Sequence, residues 1–310
     1  MQAEANEDPL YDAAYDAIDD GRLDEAVGLF SLLIAREPDN VAFHYMLGLA
    51  HKYRFDWPAS LASNLRAIEL REQPNEAEVW NAAIAATGAG DWATARRCWA
   101  LAGINIPGGE GPIVANFGSA CLRLNAWGEG ETLWAQRIDP CRARIDNVPY
   151  PKSGYRFGDI VLHDGASTGE RLAQGSRYPV FNVFQRTERS IFDTFEVELS
   201  CEDEDALESL LEAHRPGIGL LEDWTASVRP LCRSCSLGLP HEHDDAKPEW
   251  TPQRYLGVAA QSAHAVRKLV TDWAAAGPGR RLEGLAAHSP EPMAPPQASA
   301  WWRGAEEDEP

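Results

Sequence analysis

The chain has 310 residues, which sets two domains as the starting expectation. It carries 28 Lys plus Arg against 48 Asp plus Glu, a formal charge of -20, and that surplus argues against a phosphate backbone or an anionic membrane surface as the main partner. Apolar residues make up 44% of the chain, enough to bury real cores, yet no run approaches the roughly 20 apolar residues that span a bilayer.

The N-terminal MQAEANEDPLYDAAYDAIDD is acidic and lacks the basic start and apolar stretch of a secretory signal, so a soluble cytoplasmic protein is expected. Six scattered cysteines suit reduced thiols or a metal site better than a disulfide framework. The first segments repeat. Gly21, Ala26, Phe30 and Pro38 recur as Gly90, Ala95, Trp99 and Pro107, each 69 residues later, which is 34 plus 35. The unit between them supplies Leu47, Gly48, Ala67 and Pro74, with a degenerate second helix. Small residues that let two helices approach, an aromatic that fills the gap and a proline that ends the pair give the spacing its physical sense.

Over about residues 7–109 this pattern resembles the tetratricopeptide repeat. Units one and three keep the second-helix positions, but have Ala13-Ala14 and Ala82-Ala83 where the family usually has Leu-Gly. The resemblance implies an all-α helical solenoid for residues 1–110. For 111–150 a fourth unit is out of register, because Gly128 and Gly130 fall where a second helix should start. That segment is expected to be a partly helical cap or connector.

Beyond Pro149-Tyr150-Pro151 the pattern alternates. RFGDIVLHDG, RYPVFNVFQR and FDTFEVELSC read as three strands, separated in the first case by the Gly-rich GASTGERLAQGS. CEDEDALESLLEAHRPG reads as a helix with acids in its first turn, and TPQRYLGVAAQSAHAVRKLVTDWAAAG as one long helix. Residues 151–276 are therefore expected to form a small α+β domain, and the whole chain an α+β protein with a helical solenoid in front. Residues 277–310 hold six prolines in 34 positions and end in an acidic run, the composition of a disordered tail.

Cys232, Cys235, His241 and His243 form C-x2-C-x5-H-x-H. Two thiolates across a tight turn and two imidazoles supply the four ligands of tetrahedral Zn2+, with Asp244 or Asp245 as an oxygen substitute for one histidine. Four protein ligands would leave no place for water, so a structural zinc is the expectation. A polar surface loop and a redox dithiol are the alternatives, the second disfavoured because no strand-then-helix context follows. The stretches GEGPI, IDPCRARI, YRFGDIVLHDG, YPVFNVF, EDWT and this Cys/His loop together resemble a C-terminal module found after such repeats in uncharacterised bacterial proteins; the resemblance implies a bacterial origin and no established activity.

Other constellations point to turns and caps. His163-Asp164 stands at a strand end before Gly165, and Glu222-Asp223-Trp224 precedes a helix. Gly108–Gly111 lacks the Lys-Ser/Thr of a phosphate loop. Trp301-Trp302 is set apart as a short docking motif or a merely sticky pair. With no catalytic set in view, the expected function is non-enzymatic protein binding. The first forty residues hold eleven acids and two bases, and Asp12, Asp16, Asp19 and Asp20 recur at helical spacing, so a basic partner is expected there. A bacterial immunity protein that neutralises a basic toxin fits within this class; an assembly scaffold or chaperone has the same features. The alternative is a zinc-dependent hydrolase in the α+β half, with Glu242 or Asp223 as general base.

Overall fold

The computed structural model describes residues 8–128, 130–173, 175–227, 250–289 and 291–303. Six helices come first: α1 Pro9–Asp19, α2 Leu23–Arg36, α3 Val41–Tyr53, α4 Trp57–Glu69, α5 Glu76–Gly88 and α6 Trp92–Leu101. Five of the six start on a side-chain cap. Asp8, Asn40, Asp56, Asn75 and Asp91 each accept a hydrogen bond from a first-turn N–H, at 3.0, 3.1, 3.4, 2.9 and 3.0 Å, which satisfies donors the helix itself cannot.

The helices pack as three successive hairpins, in the 34- and 35-residue register expected. Ala26 and Phe30 in α2, and Ala95 and Trp99 in α6, are fully buried. The equivalent positions in α4 are Ser60 and Asn64, also fully buried. They are tolerated because they bond within their own unit: the Ser60 hydroxyl donates to the Gly48 carbonyl at 2.8 Å, and the Asn64 amide to the Ser60 carbonyl at 2.8 Å. Gly48 is what makes room, since a Cβ there would lie 2.5 Å from Asn64 Nδ2. The degenerate second helix is thus a polar variant of the same packing.

The three turns inside the hairpins carry Gly21 (φ 74°), Phe55 (φ 61°) and Gly90 (φ 73°) at matching positions. A left-handed phenylalanine costs about 1–2 kcal/mol relative to glycine. Its ring offsets this by joining an aromatic cluster with Trp57, Trp127, Phe184 and Trp301 at centroid distances of 5.7, 6.4, 5.7 and 6.0 Å.

The second part begins earlier than expected. Residues 111–150 are not a helical cap: they contain β1 Ser119–Leu124, β2 Glu131–Arg137 and β3 Arg142–Ile145. Gly128 and Gly130 belong to the β1–β2 turn, and Leu133 and Ala135 point inward while Thr132, Trp134 and Gln136 are less buried, the period of a strand. With β4 Ile160–Ala173 and β5 Ser176–Glu188 these strands close a five-stranded barrel, antiparallel throughout except where β1 meets β5 in parallel. Most of the Gly-rich stretch, from Ser167 to Ala173, is strand, paired with β5 in the outer part of the β4–β5 hairpin. Leu122, Leu124, Leu133, Ile145, Val161 and Val183 fill the barrel.

A four-stranded antiparallel sheet follows, in the order β7 Ile218–Asp223, β8 Gln253–Ala260, β6 Asp193–Ser200, β9 Arg281–His288. α7 Glu204–Leu211 and α9 Ala263–Ala275 contribute Leu207, Leu210, Val266, Leu269 and Val270 to its core with Phe195, Val197, Leu256 and Val258; a one-turn α8, Trp224–Ser227, follows β7. The expected single helix over 251–277 is therefore a strand and then a helix. The expected disordered tail contains β9, and its Trp301 and Trp302 pack on the repeats and the barrel segment.

Repeats, barrel and tail share one core. It joins Trp57, Val79, Ile84 and Trp99 of the helices to Ile113, Cys141, Leu162 and Phe184 of the barrel segment and to Trp301. Arg142, fully buried, pairs with Asp139 at 2.6 Å, donates to the Ile113 carbonyl at 2.7 Å and lies 4.6 Å from the Trp92 ring of α6. Among the described residues no helix is long and apolar enough to cross a membrane.

Candidate partner-binding groove

The first helix of each unit presents the same positions to one side. Tyr11, Tyr45 and Trp80 lie 34 and 35 residues apart, as do Tyr15, Leu49 and Ile84. Around Tyr45, Leu49, Trp80 and Ile84 the groove between α3 and α5 opens into a cavity of about 670 Å³. Its remaining wall comes from the barrel, at Asp164, Gly165 and Ala166.

That wall is a bulge. The β4–β5 register slips between His163 and Ser167, and a bulge re-aims the residues it contains. Asp164 is turned onto α3, where its carboxylate accepts from Lys52 Nζ at 2.8 Å; the same ammonium donates to Asn81 Oδ1 at 3.0 Å. Lys52 is 3% and Asp164 5% exposed. Gly165 is seated on the third unit: a Cβ there would come within 2.6 Å of the Trp80 ring and 3.3 Å of Ile84. Burial, with the Asp164 charge beside it, holds the Tyr53 hydroxyl well above its ordinary pKa, and burial raises Tyr45 as well. Both phenols stay neutral donors at physiological pH.

The sequence candidates are placed as follows. Asp12, Asp16, Asp19 and Asp20 are all exposed. Asp19 pairs with Arg303 of the tail and Asp20 with Arg22, while neither Asp12 nor Asp16 carries an ion pair among the described residues. Cys232, Cys235, His241 and His243, with Glu242, lie outside the described residues. Among the described residues no group of three or more His, Cys, Asp or Glu is arranged to hold a metal.

His163 is fully buried, stacked on Phe181 at 4.8 Å, and its Nδ1 lies 2.7 Å from the Asp164 carbonyl. Burial lowers its pKa to about 4, so the ring is neutral. Asp223 pairs with Arg254 and caps Thr225 N at 3.0 Å. Glu222 accepts from Asn147 at 2.6 Å and from Val148 N at 3.1 Å. Asp223 thus caps the short turn of helix and ties β7 to β8 within the sheet, whereas Glu222 is not a cap but ties the sheet to the segment after β3. Lys52, Asn81 and Trp80 were missed by sequence reasoning; the signal that could have found the groove is the repeat period itself, carried one step further to Tyr11, Tyr45 and Trp80.

One half-buried acid sets a pH dependence. Burial pushes Glu131 up to about 8, against the opposing hydrogen bond from Tyr150 N and with the nearby Glu222 charge adding to the rise. A carboxyl raised above its unfolded value binds more protons folded than unfolded, so its contribution to stability falls as pH rises from the ordinary carboxylate range to about 8. Glu131→Gln is expected to raise the melting temperature at pH 8.5 and to change it little at pH 5. An equal effect at both values would show that Glu131 ionises normally.

No protein-family model and no curated protein matches the sequence. Among solved structures, a chain of the CopN-Scc3 complex is 19% identical and covers 30% of this chain, with a TM-score of 0.29. This chain spans 54% of that one. A structure titled as the TPR2B-domain:pHsp70 complex of yeast Sti1 is 17% identical, covers 30% of this chain and 74% of its own, and has a TM-score of 0.28. The tetratricopeptide-like character of the helical half rests on its own register: three hairpins, with matching buried positions at intervals of 34 and 35 residues.

Proposed function

We propose that this chain is a non-enzymatic protein-binding protein whose repeats take up a basic partner at their open, α1 end. The observation that carries this reading is the contrast between the two ends of the groove. The third unit is covered by the barrel, whereas Tyr11 is 42% exposed on α1, on the same helix as the carboxylates of Asp12 and Asp16, which carry no ion pair among the described residues. An exposed aromatic beside acids suits a cationic surface, and the chain's overall charge of -20 steers such a surface in. The narrower form, an immunity protein that neutralises a basic toxin, draws its support from the same charge.

Affinity capture on the immobilised chain is expected to enrich basic proteins. Asp12→Asn with Asp16→Asn should slow association with the captured partner by about 3–10-fold at low salt and flatten its salt dependence, with the fold unchanged. Wild-type rates at every ionic strength would remove the electrostatic basis of the reading. We also propose a structural zinc at Cys232, Cys235, His241 and His243, supported by ligand type and spacing. Elemental analysis of protein prepared without chelators should find about one zinc per chain, lost in Cys232→Ser/Cys235→Ser; metal-free protein would refute it.

A further inference from the structure

We propose that the cavity between α3 and α5 is a dead-ended subsite for one cationic group, a lysine or arginine side chain at the tip of a partner's loop. The inference rests on the reading that the partner is basic, but the residues involved are not those of α1.

Shape comes first. The cavity's volume, about 670 Å³, leaves ample space for one long side chain. It cannot pass an extended segment straight through, because the Asp164–Ala166 bulge blocks it where Gly165 meets Trp80 and Ile84. A chain must enter and turn back, which is the geometry of a loop tip.

Charge selects the ligand. Lys52 is the one cation among the lining residues, and its ammonium is already held by Asp164 and Asn81. Nothing is left over to neutralise an anion. Glu76 is exposed at the mouth, and counting Glu76 and Asp164 against Lys52 leaves the lining one negative charge in excess. Glu78, close by, does not add to it, because Arg71 holds it at 2.7 Å. The walls offer the rings of Tyr45 and Trp80, and a cation over an aromatic face gains most when it is partly desolvated. The Glu76 carboxylate at the mouth can accept from an incoming ammonium or guanidinium. An apolar side chain would reach the same rings but would strip water from Glu76 and the Tyr45 hydroxyl with nothing in return.

The test uses the full chain and three disulfide-closed peptide loops that differ only at the tip: arginine, norleucine or glutamate. The Trp80 indole N–H signal and the binding isotherm are read by NMR. The arginine loop is expected to move the Trp80 signal saturably, with the other two about tenfold weaker or undetectable. Ala77→Arg, a change at an exposed position on the cavity wall, should abolish the shift and leave the melting temperature unchanged. Equal binding of the norleucine loop, or no movement of Trp80 with any loop, overturns the inference. If the arginine loop moves Tyr11 and α1 signals but not Trp80, the subsite fails while the basic-partner reading survives. If Trp80 moves but Asp12→Asn/Asp16→Asn leaves association with the captured partner unchanged, the subsite stands and the α1 surface falls.

Discussion

Lys52→Met is expected to destabilise the chain by about 3–5 kcal/mol, because it strands the Asp164 carboxylate in a site that is almost fully buried. The loss is not the worth of the ion pair. It is the cost of a buried charge whose partner has gone, and the two can be separated. Lys52→Met combined with Asp164→Leu removes both charges, and replacing a buried pair by apolar groups is often neutral or stabilising. The double variant should therefore recover most of the stability lost by the single one. Denaturant midpoints at constant slope provide the measurement. A single variant as stable as wild type would mean that water reaches Asp164, and the seam between repeats and barrel would then be open rather than sealed. Because the bridge ties α3 to the β4 bulge, limited proteolysis of the single variant should cut first between the helical and barrel segments.

Trp301→Ala is the second large effect, expected at about 3–5 kcal/mol as for other buried tryptophans. Trp301 is 6% exposed although it lies in a proline-rich stretch of sequence. Its ring meets Trp127, Tyr53 and Phe184 at 5.1, 5.9 and 6.0 Å, so it touches the repeats and the barrel at once. Trp302 stacks on Tyr53 at 4.2 Å with the planes 7° apart. Upstream, Glu291 pairs with Arg186, and Ser289 accepts from Arg156 at 2.6 Å. The tail is laced across the molecule at several points. An unchanged melting temperature for Trp301→Ala would show that it is not docked in solution. The two tryptophans, which the sequence sets apart as a docking motif or a sticky pair, pack on their own chain.

Much of the helical half was legible. Ala26 and Ala95, with Phe30 and Trp99, announce close-packed helix pairs because helical period and repeat period agree, and Asp or Asn caps mark where five of the six helices start. β5 and β6 were legible for the same local reason, alternation on a half-buried surface. Residues 253–260 were not. Leu256 and Ala260 fit helical spacing, but Leu256, Val258 and Ala260 equally fit a strand, and only pairing with β6 on one side and β7 on the other decided between them. Local periodicity cannot choose when both periods fit, and tertiary hydrogen bonds then do.

The groove's inner end was beyond sequence reasoning for a different reason. Lys52 and Asp164 are 112 residues apart, and each by itself reads as an ordinary surface charge. They meet because a bulge in one barrel strand turns a single carboxylate toward one helix. Phe55 and Trp301 share that logic: a ring in a turn and a ring in a proline-rich tail look exposed until three distant segments close around them. Sequence alone determined the repeat register, the caps and the acidic balance, all set by neighbours along the chain. Tertiary structure decided which charges and rings became interior, because burial depends on surfaces that meet only once the barrel closes against the repeats.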